Sequence, residues 1–281
     1  MLTLRTAVNQ WESDQNNHWN VRFYGRSFQA ATEVFLSRSP GGNPGARWVR
    51  DRHMRFHREV FSGSPVTVTS GVGTDGDLEG RIVHVMRQGD TVLATAIDEG
   101  CDPAAGAPWS EPELTDKVSP RGLMAGPLDP VMPDHGAVRR LCCATGVARV
   151  AEMDHHGLMP LDNFVPRSSA AMHNLMNAIG FTREFIARTR ISRMAVEMKL
   201  TRHADCTAGT PLTSHTWISE VEGKSFSVRH LVVEARNGNP VMSIEHKLLF
   251  VDLNLRRSVP PPETLRSGLE RYFAAEGKGQ P

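Results

Sequence analysis

One sequence pattern occurs twice in this chain, 140 positions apart, and constrains its fold more than any other feature. The first copy is Asp14-Gln15-Asn16-Asn17-His18-Trp19-Asn20-Val21-Arg22-Phe23-Tyr24, and the second is Asp154-His155-His156-Gly157-Leu158-Met159-Pro160-Leu161-Asp162-Asn163-Phe164. In each copy an acid follows an apolar or aromatic stretch and precedes a short polar turn and a helix-like segment. The repetition predicts two similar modules in tandem.

Later landmarks recur in the same order. Gly63-Ser64-Pro65-Val66 corresponds to Gly209-Thr210-Pro211-Leu212, and His84 corresponds to His230, both at a spacing of 146. Because several landmarks keep one order, they indicate a duplication more strongly than any single match does.

Each module is predicted to be one helix followed by antiparallel strands. In the first, 21–36 places apolar side chains at helical spacing, and 78–86 and 91–97 flank a hairpin turn at 87–90. In the second, a helix is expected over 165–179, followed by a connector with helical character. The strands expected after it are 193–201, 211–221, 225–235 and 240–252.

Prolines and glycines concentrate between the modules, in a segment too long for a simple turn. The domains predicted are an N-terminal module (1–100), a linker (101–146), a C-terminal module (147–260) and a C-terminal tail (261–281). The linker is expected to run over the surface between the modules.

Bulk charge argues for neither a nucleic acid nor a membrane partner, since 32 basic residues balance 31 acidic ones. No stretch approaches the roughly 20 apolar residues of a membrane span. The four cysteines form no CxxC pair, which favours reduced thiols and a soluble cytoplasmic protein.

The first signature carries a family resemblance. Asp14, His18, Asn20 and Tyr24 before an apolar helix resemble the D-x-x-G-H-x-N-x-x-x-Y start of hotdog-fold acyl-CoA thioesterases, the 4-hydroxybenzoyl-CoA thioesterase-like superfamily. The likeness covers about residues 5–99 and 147–257. It implies an α+β double-hotdog fold, with two long central helices wrapped by antiparallel sheets, equivalent to the usual two-chain dimer.

The two copies depart from the motif differently. Asn17 stands where the family has glycine, and asparagine is the non-glycine residue that best tolerates left-handed backbone. The second copy keeps Asp154 and Gly157 but has Leu158 and Pro160 at the His and Asn positions. Unequal halves are therefore expected, with one active site near Asp14.

The resemblance implies hydrolysis of an acyl-CoA or acyl-carrier thioester between the two modules. Asp14 would act as nucleophile or general base, and free amides at the helix N-terminus, around 18–20, would form the oxyanion hole. The candidate catalytic residues are Asp14, His18 in support, and Asp154. The candidate substrate-binding residues are Asn17, Trp19, Asn20, Tyr24 and Gly157. No metal and no cofactor other than the substrate's own coenzyme A are expected.

Structural roles are open for the same residues. Asp14 and Asp154 are also suited to cap helices, and Asn17 and Asn20 to turns. For other residues a chemical role stands beside a structural or surface role. The chemical roles are metal binding for His155 and His156, a second catalytic acid for Glu33, catalysis for His84 and His230 on apolar strands, and binding of coenzyme A phosphates for Arg22, Arg26, Arg256 and Arg257.

Two further functions stay open besides the thioesterase. Hotdog folds also host hydratases and dehydratases of acyl thioesters, and a fold by itself does not exclude a non-catalytic acyl or small-ligand binding protein. The duplication makes one chain a pseudo-dimer, and such units could assemble further into homo-oligomers.

Overall fold

The computed structural model describes residues 1–14, 17–39, 49–101, 103, 106–133 and 139–274. Its centre is one antiparallel sheet of 11 strands. The first half of the molecule contributes β1 (Leu2–Ala7), β2 (Asp51–Phe56), β3 (Pro65–Val72), β4 (Ile82–Gln88) and β5 (Thr91–Glu99). The second half contributes β6 (Leu141–Val147), β7 (Ile191–Arg202), β8 (Pro211–Glu222), β9 (Ser225–Glu234), β10 (Pro240–Asp252) and β11 (Arg257–Ser258).

Strand order is the same in the two halves when each is counted from the joint between them. The order is β1-β3-β4-β5-β2-β7-β10-β9-β8-β6, with β11 beside β10. The joint is the β2–β7 pair, in which Met54 lies opposite Met198. On each side of it the strands therefore follow one plan, with β7 in the place of β2 and β10 in the place of β5.

Five helices accompany the sheet in the described ranges: α1 (Val21–Arg38), α2 (Thr115–Val118), α3 (Val165–Ala178), α4 (Arg183–Thr189) and α5 (Glu263–Ala274). The predicted helices α1 and α3 are present within two residues of their expected bounds. α1 buries one face, which includes Tyr24, Phe28, Ala31 and Phe35, as its apolar spacing requires. It packs on β1 and β3, and α3 packs on β6 and β8.

The segment between the halves crosses the sheet on the face opposite α1. The carbonyl of Ser119 accepts a hydrogen bond from Arg55 of β2 at 2.8 Å, and the amide of Gly122 donates to Glu197 of β7 at 2.6 Å. Farther along, the amide of Leu128 donates to Thr201 at 2.9 Å. The segment thus passes from the first half to the second across the sheet.

Three local expectations differ from the structure. Leu141–Val147 is strand β6 although it falls in the segment assigned to the linker, and it pairs with β8. The tail contains α5, which buries Leu265, Leu269 and Tyr272. The strand expected from Leu78 begins at Ile82, because Gly80 has a φ of 70° and interrupts extended backbone.

Candidate functional site

The acid of the first signature lies in a tightly closed turn. The backbone amide of His18 donates to Oδ1 of Asp14 at 3.1 Å, and the amide of Asp14 donates to the carbonyl of His18 at 2.7 Å. Asn17 has a φ of 62°, the left-handed conformation for which asparagine is suited. Asn17 thus adopts the left-handed backbone conformation at the position where the motif that it resembles has glycine.

The second signature has the same hydrogen bonds. The amide of Leu158 donates to Oδ1 of Asp154 at 3.3 Å, and the amide of Asp154 donates to the carbonyl of Leu158 at 2.9 Å. Gly157 has a φ of 78°. The repeat in sequence is therefore also a repeat in turn geometry.

The His18 side chain is positioned by residues that follow β2. Its Nε2 lies 3.7 Å from Oε2 of Glu59, and its ring meets Phe61 edge to face with 5.3 Å between centroids. Glu59 also forms an ion pair with Arg256 of the second half. Sequence reasoning missed Glu59, since nothing in its local pattern indicates its proximity to the turn.

A cleft of about 940 Å³ opens beside the first turn. Its lining from the first half includes Asp14, Asn17, His18, Trp19 and Tyr24. Its lining from the second half includes 193–196 of β7, parts of β10 and 256–258. The two halves together therefore form the walls.

The cleft follows from a fork in the sheet. β2 and β7 pair from Asp51 opposite Thr201 to Arg55 opposite Glu197. β2 ends one residue later, whereas β7 continues back to Ile191 and keeps only β10 as its partner there. The chain after β2 diverges, so the 193–196 stretch of β7 faces the turn across open space.

Tyr24 and His57 give the cleft uncharged polar groups. The Tyr24 ring packs against Trp19 at 4.5 Å and Phe56 at 5.3 Å between centroids. Burial, reinforced by the carboxylates of Glu59 and Asp14, raises the pKa of Tyr24, so its phenol remains a proton donor. Burial and the neighbouring cations Arg55 and Lys117 lower the pKa of His57 to about 4, so this ring is neutral near pH 7.

The amides expected to form an oxyanion hole are already engaged. The His18 amide donates to Asp14, the Trp19 amide to the carbonyl of Val60 at 2.7 Å, and the Asn20 amide to the carbonyl of Glu12 at 2.9 Å. This corrects the expectation of free donors at 18–20: the turn uses them for its own closure. At the first position of α1, the amide of Val21 donates to no group in the described part of the chain, and Val21 lines the cleft.

Three predicted site residues lie outside this cleft. Asn20 caps α1, accepting a hydrogen bond from the amide of Arg22 at 3.0 Å. Asp154 and Gly157 belong to the second turn, which is not part of the cleft lining. Around that turn, Arg202 donates to the carbonyl of Met159 at 3.2 Å. By strand register, Arg202 stands where the first half has Phe56. The sequence-predicted set is therefore divided between two places.

The remaining candidates take structural or surface positions. Glu33 is exposed and accepts a hydrogen bond from Gln29 at 3.0 Å. His84 and His230 are fully buried, and Nδ1 of His84 lies 2.7 Å from the Ser70 hydroxyl. Arg22 and Arg26 do not line the cleft.

Neither a metal cluster nor a membrane helix is found in the described ranges. His155 and His156 have rings 4.0 Å apart, but no three His, Cys, Asp or Glu side chains in the described ranges are grouped as metal ligands. Among the helices described above, none has the length and apolar character needed to cross a bilayer.

The second half of the chain is similar in sequence to a known protein family. The thioesterase-like superfamily matches residues 148–269 of the chain. Those residues are therefore similar to that superfamily. No curated protein matches the chain in sequence.

Solved structures extend the thioesterase-like fold over most of the chain. A putative oleoyl thioesterase from Lactobacillus plantarum is 12% identical, with a TM-score of 0.57 over 93% of this chain and 98% of that one. The 12:0-ACP thioesterase from Umbellularia californica is 14% identical, with a TM-score of 0.56 over 88% and 93%. An acyl-ACP thioesterase from Bacteroides thetaiotaomicron is 13% identical, with a TM-score of 0.56 over 88% and 96%. Likeness at such low identity shows a shared fold, the hotdog fold of these proteins.

Proposed function

We propose that this protein hydrolyses the thioester bond of an acyl group carried on coenzyme A or on an acyl carrier protein, releasing the free acid and the thiol. The observation that carries the proposal is the Asp14 carboxylate on a cleft that both halves line. The fold that the chain shares with thioesterases supports it. No cofactor besides the substrate's own carrier is required.

The proposal includes a tandem hotdog organisation, with modules at 1–100 and 147–260, a connecting segment at 101–146 and a tail at 261–281. The mirrored strand order around the β2–β7 joint supports it, as do the matching turns at Asp14 and Asp154. β6 is then the second module's counterpart of β1, so that module's sheet begins within the connecting segment. α5 has no counterpart among the described residues of the first half.

Asp14 supplies the attack in this mechanism. As a general base, its carboxylate takes a proton from water while the water oxygen bonds to the thioester carbon, and the carbonyl electrons move onto oxygen. Collapse of this intermediate breaks the carbon–sulfur bond, and the thiolate takes the proton from Asp14. As a nucleophile, the carboxylate itself bonds to that carbon, the carbon–sulfur bond breaks, and the expelled thiolate takes a proton from water. A second water then cleaves the resulting anhydride. His18 is held beside the turn by Glu59 and supports its geometry.

The entrance of α1 favours negative charge on the carbonyl oxygen. Val21 at the first helical position lines the cleft, its amide has no acceptor in the described ranges, and the helix dipole adds positive potential there. Trp19 and Tyr24 give the acyl group an aromatic wall, and Asn17 holds the turn. Gly157 and Asp154 hold the corresponding turn of the second half, which has a structural role in this proposal.

Arginines at the rim of the cleft fit a phosphorylated carrier. Arg58, Arg190, Arg256 and Arg257 line the cleft and are exposed. Guanidinium groups bind phosphate oxygens with charge-assisted hydrogen bonds. Coenzyme A and the phosphopantetheine arm of a carrier protein both carry such phosphates, so the rim supports either carrier.

The test measures free thiol release from short, medium and long straight-chain acyl-CoAs and one aromatic acyl-CoA. The proposal expects release with at least one substrate and its loss in Asp14→Asn. Turnover that is unchanged in Asp14→Asn would refute the site. No thiol release, with a change in the enoyl chromophore of an unsaturated substrate, would establish a hydratase or dehydratase instead. Tight acyl-CoA binding with neither signal would establish a binding protein.

A further inference from the structure

Arg193 is the one arginine of the cleft that is not at its rim. It lies on β7 opposite Phe250, in the stretch of β7 that faces the first turn beyond the fork. Its side chain is partly buried, unlike the exposed rim arginines, and its Cζ lies 5.7 Å from the ring centroid of Phe181. The second half thus places a cation opposite Asp14.

No described residue hydrogen-bonds to the Arg193 guanidinium. Burial lowers the pKa of Arg193 to about 10 against the opposing effect of the Asp14 carboxylate, so it stays charged near pH 7. His246 and His173 also face it. Burial and the Arg193 charge lower the pKa of both rings, to about 4 for His246. Both histidines are therefore neutral, and Asp14 is the acid that opposes Arg193 across the cleft.

Partial burial of a cation that has no protein acceptor carries a cost, and a ligand that supplies an acceptor offsets it. Such groups occur where a bound anion or a developing charge offsets the cost. The first turn adds to this argument, because its amides at 18–20 are engaged, and only the Val21 amide next to them has no acceptor in the described ranges. Negative charge on the substrate therefore needs a further donor.

We propose that Arg193, contributed by the second half, stabilises the negative charge that forms on the thioester carbonyl oxygen during attack at Asp14, and then binds the carboxylate product. This rests on the proposed hydrolysis. In the step concerned, the carbonyl π electrons move to oxygen as the water oxygen bonds to carbon, and the guanidinium donates hydrogen bonds to that oxygen. When the carbon–sulfur bond breaks, the proton held by Asp14 goes to the thiolate and the carbonyl re-forms as a carboxylic acid. The acid then releases its proton to water, and the same donors face the resulting carboxylate.

The role makes the joint between the halves part of catalysis. Asp14 comes from the first half, and the positively charged Arg193 opposite it comes from β7 of the second half. β7 holds Arg193 in place through its ladder to β10 and the ring of Phe181. A shift of β7 relative to β2 would therefore change the rate without touching the turn.

The experiment compares the full-length protein with Arg193→Gln and Arg193→Lys, using the best acyl-CoA of the panel. Arg188→Gln is the matched control, because Arg188 is an exposed arginine of α4 that does not line the cleft. Loss of an oxyanion donor lowers kcat by about 10²–10³-fold, with KM nearly unchanged. Arg193→Lys keeps the charge without the planar fork and is expected to lose less than the glutamine variant. The control is expected to match the wild type.

A binding measurement separates this role from a structural one. The probes are the free carboxylate of the best substrate's acyl group and its neutral primary amide, titrated calorimetrically into each protein. The wild type is expected to bind the carboxylate more tightly than the amide by at least tenfold, and Arg193→Gln to lose that preference while still binding the amide.

Three results would overturn the proposal: an unchanged kcat in Arg193→Gln, a fallen kcat with the carboxylate preference intact, or a wild type without that preference. If Arg193→Gln does not fold, the same outcomes are read from Arg193→Lys. If the wild type releases no thiol, the proposed hydrolysis fails and this role fails with it, while carboxylate preference at Arg193 would still show an anion site.

Discussion

Removing the charge of Asp98 should destabilise the first half strongly. Asp98 on β5 is 1% exposed and accepts two hydrogen bonds from Arg52, at 2.7 Å and 2.6 Å, and one from Thr32 at 2.6 Å. Arg52 is equally buried and also donates to the carbonyl of Gly25 at 3.3 Å. In Asp98→Asn the guanidinium would remain buried without its counter-charge, which costs about 3–5 kcal/mol.

The assay is equilibrium unfolding by urea, with Glu99→Gln as the matched control. Glu99 pairs with Arg81 at 3.2 Å one position along the same strand, but both side chains are partly exposed, so its loss should cost at most about 1 kcal/mol. If the free energy of unfolding falls no more in Asp98→Asn than in Glu99→Gln, the reasoning is refuted, because burial would then not govern the strength of the ion pair.

The second half suggests a compensating change. Ile82 and Val228 are equivalent positions, and their strand partners are Asp98 and His246. Arg52, the partner of Asp98, corresponds in turn to Met198. The double variant Arg52→Met/Asp98→His copies the second half's pair, and we expect it to be more stable than Asp98→His alone by at least about 2 kcal/mol.

Three further outcomes are expected. Asp14→Asn should lower kcat/KM by about 10²–10⁴-fold, whereas Asp154→Asn, in the turn outside the cleft, should keep the wild-type rate of thiol release; equal losses would refute a single site. Asn17→Gly should keep the melting temperature or raise it, and Asn17→Ala should cost about 1 kcal/mol because its φ of 62° disfavours alanine; a melting temperature that does not fall in Asn17→Ala would contradict this. Burial works to raise the pKa of Asp98, but the charge and hydrogen bonds of Arg52 and His84 lower it well below its usual value, so its stabilisation is present above about pH 4 and is lost as pH falls below that. Urea unfolding from pH 6 down to pH 2 should show less acid sensitivity in Asp98→Asn than in the wild type, and equal sensitivity would contradict the assignment.

The parts of the fold that were predicted are those whose residues carry a local periodic signal. α1 shows its apolar face at helical spacing, and the expected strand 240–252 coincides with β10. β6 was hidden because Leu141–Val147 follows a stretch rich in glycine and proline, and its pairing with β8 depends on residues 64 to 75 positions away. α5 was missed because nothing local indicates that the core would bury its apolar face.

In the candidate site, too, the residues that were predicted are those with a local sequence signal. The turn at Asp14 and the left-handed Asn17 follow from local chemistry and were found. Glu59 reaches the turn through the chain that follows β2, 41 positions beyond His18. Arg193 reaches it only through the β2–β7 joint, a contact between strands about 145 positions apart that no local pattern encodes. The oxyanion expectation failed for a related reason, since the amides at 18–20 are taken by carbonyls of Val60 and Glu12 and by the turn itself.

The segment that crosses the sheet from Ser119 to Leu128 links the two halves covalently, so their pairing is intramolecular. Two separate chains would lose translational and rotational freedom on pairing and would come apart on dilution. Here the tether sets a high effective concentration, so the β2–β7 joint persists however dilute the protein is. Covalent linkage also removes the symmetry that a pair of identical chains imposes. The turn at Asp14 could therefore keep its carboxylate on the cleft while the turn at Asp154, beside Arg202, accumulated substitutions. In an assembly of two identical chains, each such substitution would have occurred at both sites.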